Sequence, residues 1–316
     1  MTPSNTPREN DRTLVLADGR RLAYTDCGDP EGTPVFFAHG MPGSRLEGYF
    51  FDTLARAHRF RIITVDRPGI GRSEFQAGRT LRDYPRDIEQ LADALGIDRF
   101  THMGWSSGGS RTLACCHGLA DRVELGVCLS GYTHFPEYPG NGRLLEATHW
   151  PGPAMAKLSP RLVRVAVCLV AWLSRVQPGL YMRSARQIAS VHDRELLQSL
   201  ARDGRFRADQ LECLNSRCRA IATDLLTELG DWGFRLGDVR TPVLIYQGAD
   251  DPFVPADYAR HLDDKLPASE LTLMTDTGHL YPLSGVFQER LFTHIRQMLL
   301  NGRTRPFTDN SSRNAS

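Results

Sequence analysis

The chain has 316 residues, 41% of them apolar and 24% charged, and its 38 Lys and Arg almost balance 37 Asp and Glu, for a net charge of +1. That is the composition of a soluble globular protein, and so small a net charge offers nucleic acid no general attraction. The length suits one large α/β domain or a core carrying an inserted subdomain.

Residues 1–11 are polar, carry no apolar stretch of signal-peptide type, and are expected to form a disordered tail, as are residues 301–316. The longest apolar run, 165–173, is far shorter than the ~20 residues of a membrane-spanning helix, so no stable membrane insertion is expected. Seven cysteines (27, 115, 116, 128, 168, 213 and 218) form no C-x-x-C pair, and we read them as reduced core thiols of a cytoplasmic protein.

In chain order, 13–16 and 21–25 flank the hairpin signal Asp18-Gly19. Short apolar runs of buried-strand type follow at 35–38, 62–65, 100–103 and 123–129, alternating with amphipathic helical segments at 49–57, 81–95 and 110–119. This rhythm predicts a mostly parallel sheet with helices on both faces. Residues 132–236 read as mostly helical, with no convincing strand. The rhythm then resumes with a strand at 243–247, a helix at 255–266, a strand at 271–274 and a helix at 286–300. The expected organisation is a core of 12–131 and 237–300 with a helical cap, 132–236, over the carboxyl ends of the strands, where α/β sheets bind ligands.

Between the strand at 100–103 and the next helix lies Gly104-Trp105-Ser106-Ser107-Gly108, a G-x-S-x-G turn. A serine on a sharp strand-to-helix turn is strained and needs small residues two before and two after it. Centring the turn on Ser107 would place Trp105 at a small position, so Ser106 is the candidate nucleophile. The glycine-rich loop His39-Gly40-Met41-Pro42-Gly43 ends another strand, and the backbone N–H groups of Met41 and Ser107 form the natural oxyanion pair. His39 is read as a brace of that loop rather than a base. Asp250 and Asp251 end the strand at 243–247, and His279 follows the strand at 271–274, so the order Ser, Asp, His is one known solution to triad geometry. Either aspartate could instead cap the next helix, and Glu137 is a variant acid.

His39 to Arg45, Asp66-Arg67-Pro68-Gly69-Ile70-Gly71-Arg72-Ser73, Gly104 to Gly109, Gly248 to Pro255 and Gly278-His279 together resemble the α/β-hydrolase superfamily, in its cap-bearing, lipase/esterase-like form. The resemblance implies an α/β-hydrolase fold with a mostly parallel eight-stranded sheet and an inserted helical cap. It implies Ser106 as nucleophile, His279 as general base and Asp251 as acid, since the G-x-x-D-x-x-V-P pattern puts the acid three after Gly248. It assigns the 66–73 turn to scaffolding and requires no cofactor and no metal. Serine at the elbow is unlike the aspartate of dehalogenases and epoxide hydrolases, and the elbow is unlike the G-G-S-W-G of proline iminopeptidases.

Residues 157–190 carry Lys157, Arg161, Arg164, Arg175, Arg183 and Arg186 and no acid. A solvated basic face is the plainer reading. An arginine held ready for an anionic substrate group, or a membrane-surface contact, are the alternatives. Trp105, Tyr132 and Trp172 are candidate pocket residues, and His134 is a further possibility near the cleft. The expected activity is cleavage of an ester or related small-molecule acyl substrate. Thioester, C–C bond or perhydrolysis chemistry on the same triad, and a small-molecule binding protein on this scaffold, are the rivals.

Overall fold

The structure, a computed structural model, describes residues 11–140 and 142–302. The short apolar runs form β1 (Asp11–Val15), β2 (Arg21–Gly28), β3 (Thr33–Ala38), β4 (Phe60–Val65), β5 (Phe100–Trp105), β6 (Val123–Leu129), β7 (Val243–Gly248) and β8 (Ser269–Met274). They make one eight-stranded sheet in the order β1-β2-β4-β3-β5-β6-β7-β8. Only the β1–β2 and β2–β4 pairings are antiparallel; the others are parallel. At the hairpin, Gly19 takes φ +83°, a conformation that glycine adopts without strain.

Helices α1 (Asp52–Ala57), α2 (Tyr84–Ala94) and α3 (Gly108–Gly118) connect the strands as far as β6. Between β6 and β7 lie α4 (Gly152–Leu158), α5 (Pro160–Val176), α6 (Pro178–Ile188), α7 (Val191–Asp203), α8 (Arg205–Leu214) and α9 (Cys218–Leu229). Helices α10 (Ala256–Lys265) and α11 (Gly285–Gly302) follow β7 and β8. Successive strand side chains point to opposite faces, so Phe36 packs among residues of α2, α3 and α10 while Phe37 packs among residues of α1 and α11. Burial on both faces explains why β5 and β7 are buried at every position and read as continuous runs rather than alternating ones. This is the α/β-hydrolase fold that the motifs lead one to expect.

Four expectations need correction. Asp11, expected in the tail, belongs to β1, and its carboxylate is tied into the fold 2.8 Å from the buried Arg45 guanidinium. At the other end, α11 runs to Gly302; residues 1–10 and 303–316, the rest of the expected tails, lie outside the described residues. The first α-helix of the segment after β6 begins only at Gly152: among the described residues of 132–151 the chain, rich in Pro and Gly, forms turns, a 3-10 helix at Glu146–Thr148 and a Leu145–Trp150 bridge. Finally, Cys168 on α5 and Cys218 on α9 form a disulfide, while Cys27, Cys115, Cys116, Cys128 and Cys213 are free and buried. The bond removes the cysteine-based reason for placing the chain in a reducing compartment. No described helix is long and apolar enough to cross a membrane.

Candidate active site

Strand β5 ends at Trp105 and α3 begins at Gly108, leaving Ser106 and Ser107 to turn the chain. Ser106 sits at φ +54°, in the left-handed region that a side chain rarely adopts. Its N–H donates to Leu129 C=O at 2.8 Å, and its own C=O accepts from Gly109 N–H at 2.9 Å. A Cβ at Gly104 would lie 2.2 Å from Gly108 O, and one at Gly108 would lie 2.0 Å from Ala38 O. Both positions therefore require glycine, in agreement with a turn centred on Ser106.

Beyond β8, the imidazole of His279 meets the carboxylate of Asp251 beyond β7, with Nδ1 2.7 Å from Oδ2. The same carboxylate accepts from Phe253 N–H at 2.8 Å and Val254 N–H at 3.0 Å through Oδ1, so it also shapes its own turn. Ser106, Asp251 and His279 are 7%, 5% and 7% exposed. Asp250 points outward and lies 3.5 Å from His192. The two aspartates that the residues alone left open are thereby separated: only Asp251 engages the imidazole. Exposed His192, Asp250 and Asp276 bring ligand atoms within 4.8 Å of one another at the surface.

A cavity of about 140 Å³ is lined by Ser106 and His279 together. Its walls include Trp105, Tyr132, Leu197, Phe206 and Phe253, with Glu47 and Gln210 as further polar groups. Trp105 Nε1–H donates to His279 C=O at 3.2 Å, and the two rings are 5.5 Å apart, so this residue braces the imidazole as well as lining the cavity. Met41 and Gly40 line it too. Among the described residues, the N–H groups of Met41 and Ser107 donate to no other protein group. Trp172 does not reach the cavity: it is 56% exposed, because a helix turns about 100° per residue and Ala171 occupies the buried face of α5. Lys157, Arg161, Arg164 and Arg183 are exposed, and Arg175 donates to Leu214 C=O at 2.7 Å; the Arg186 side chain lies outside the described residues. Among the described residues, no arginine or lysine lines the cavity. His134 pairs with Glu137 at 2.6 Å, which takes Glu137 out of contention as the acid.

Several buried acids that sequence reasoning missed hold these loops. Asp193 on α7 accepts from the backbone N–H groups of His279 and Leu280, both at 2.9 Å. Asp209 on α8 accepts from Ser44 N–H and Oγ, and burial pushes its carboxyl up to about 7. Glu47 accepts from Gly40 N–H at 2.9 Å; burial and then Asp209 raise its carboxyl well above the usual range. Asp224 on α9 meets Arg67 at 2.6 Å, Arg79 at 2.8 Å and Arg111 at 3.2 Å. Burial opposes its ionisation, but the three guanidinium groups outweigh this and hold its carboxyl below the usual range. His39 Nδ1 lies 2.8 Å from Gly40 O, the bracing role expected, and burial holds the ring neutral. The only signal for these acids was polar residues on amphipathic helices, which does not name a partner.

The eight-stranded sheet and the strained serine turn at its strand ends define an α/β-hydrolase. A sequence profile of the Alpha/beta hydrolase family matches residues 35–288, and the chain belongs to that family of hydrolases. It is 28% identical over 268 residues to a 2-hydroxy-6-oxononadienedioate/2-hydroxy-6-oxononatrienedioate hydrolase of Paraburkholderia phymatum, covering 82% of this chain and 84% of that one. It is 40% identical to a proline iminopeptidase of Xylella fastidiosa over 120 residues, a match spanning 36% of this chain and 37% of that relative. Among solved structures, an esterase of Thermogutta terrifontis aligns with a TM-score of 0.67 at 20% identity, over 92% of this chain and 98% of that one.

Proposed function

We propose that the chain is a serine hydrolase that cleaves a carboxylic ester or a related acyl substrate through an acyl-enzyme. Ser106 attacks the carbonyl carbon while His279 takes its proton, Asp251 holds the imidazole in one tautomer, and Met41 and Ser107 N–H groups bind the oxyanion. His279 returns the proton to the leaving group, then activates water to release the acyl group from Ser106. The observation that carries this reading is the 2.7 Å contact between His279 and the buried Asp251, with His279 and Ser106 facing one cavity. Helices α4 to α9 act as the cap in this reading.

The cavity supports a compact, uncharged acyl group: about 140 Å³ is close to the ~150 Å³ of an apolar site that admits benzene. The Paraburkholderia relative is named for a dicarboxylate, and cleavage of a C–C bond is the second reading its similarity favours. The absence of a lining cation among the described residues weighs for the neutral ester. The test is covalent labelling by a fluorophosphonate, which Ser106→Ala is expected to abolish; undiminished labelling overturns the assignment. Turnover of p-nitrophenyl esters, acyl-CoA thioesters, vinylogous C–C substrates and peroxide-dependent halogenation then separates the bond classes.

A further inference from the structure

We infer that Asp224, contributed by helix α9, is a positioning residue that sets the Met41 half of the oxyanion hole through Arg67 and steadies Ser107 on the other half through Arg111. The inference rests on the serine-hydrolase reading above and deepens it.

A peptide unit is planar and trans, so whatever holds a C=O also fixes the direction of the N–H on the same unit. The Met41 N–H belongs to the unit whose carbonyl is Gly40 C=O. That oxygen accepts from Arg67 at 3.0 Å, and Arg67 also donates to His39 C=O. Arg67 in turn donates through Nε to Asp224 Oδ2 at 2.6 Å. On the other side of the hole, Arg111 donates to the carbonyl and hydroxyl of Ser107 at 3.0 and 3.1 Å. It also donates to the backbone C=O of Asp224 at 2.8 Å and lies 3.2 Å from its carboxylate. The Ser107 N–H unit is aimed by Ser106 C=O, which accepts from Gly109 N–H, while Arg111 holds the residue's other end.

One buried carboxylate, 2% exposed and reached by three arginines, therefore sits behind the arginine that aims the Met41 donor and beside the one that holds Ser107. A guanidinium bonded to a peptide oxygen also polarises that unit, making its N–H a stronger donor. Both effects grow as negative charge develops on the substrate oxygen, so they act on kcat more than on KM.

The experiment compares wild type, Asp224→Asn and Asp224→Glu in hydrolysis of a p-nitrophenyl ester and inhibition by a trifluoromethyl ketone. Asp224→Asn keeps the shape and removes the charge. Its kcat is expected to fall 10- to 100-fold, with KM within about threefold, a range below the loss of an oxyanion donor itself. The ketone, which forms the oxyanion, loses affinity by the same factor as kcat/KM, and Asp224→Glu restores part of both. A folded Asp224→Asn with wild-type kcat, or one whose ketone affinity is unchanged while kcat falls, overturns the inference. If Asp224→Asn does not fold, Arg67→Lys carries the same comparison with the same two outcomes. Failure of the underlying reading shows separately, as a wild type with no esterase turnover or a Ser106→Ala variant that still labels.

Discussion

Gly108→Ala isolates the steric requirement of the serine turn. The added Cβ would meet Ala38 O at 2.0 Å, Ala38 C at 2.8 Å and His39 O at 3.1 Å. Ordinary contact needs about 3.5 Å, so the first of these falls short by about 1.5 Å. All three atoms are backbone, and β3 cannot give way because it is paired with β4 on one side and β5 on the other. The turn itself must move, carrying Ser106 about 1 Å from its place. A displacement of that size costs on the order of 100-fold in kcat. Overpacking lowers stability by about 1–3 kcal/mol, which lowers Tm by several degrees. Steady-state hydrolysis of p-nitrophenyl acetate and thermal unfolding read the two effects. Gly179→Ala, where nothing lies within 4 Å, is the control and is expected to match wild type. A folded Gly108→Ala with kcat within threefold of wild type would refute the reasoning.

Two further outcomes are expected. Asp209 has its carboxyl raised from 3.8 to about 7, so between those values the folded chain holds a proton that the unfolded chain has lost. Wild-type stability therefore falls as pH rises through that window, whereas the amide introduced by Asp209→Asn does not titrate. The Tm of the variant relative to wild type should climb by a few degrees from pH 5 to pH 8, and a difference independent of pH would count against the raised carboxyl. For the cysteines, alkylation of denatured, unreduced protein should modify five of seven. Cys168→Ser removes a bridge closing 50 residues, worth about 4 kcal/mol through the unfolded state, and lowers Tm accordingly. Seven modified cysteines would show that the bond is not formed.

Local chemistry was enough to read the strands and the serine turn, and to place His279 and the Asp250-Asp251 pair at strand ends. Strand runs, the hairpin at Asp18-Gly19 and the small residues at Gly104 and Gly108 answer to backbone sterics within a few positions, and these are written in the sequence itself. The residues alone could not separate Asp250 from Asp251; the family resemblance favoured Asp251, and the fold buries that carboxylate against His279 while leaving its neighbour in solvent. Periodicity also could not tell which way α5 faces the rest of the chain, so Trp172, a pocket candidate by residue type, stands outside. Tertiary packing alone paired Asp193 with His279, Asp209 with Ser44 and Asp224 with Arg67, across 86, 165 and 157 residues. Amphipathic spacing states that one face of a helix will be buried, but the partner it meets depends on how α7, α8 and α9 meet loops far away along the chain, a long-range outcome that no local pattern encodes.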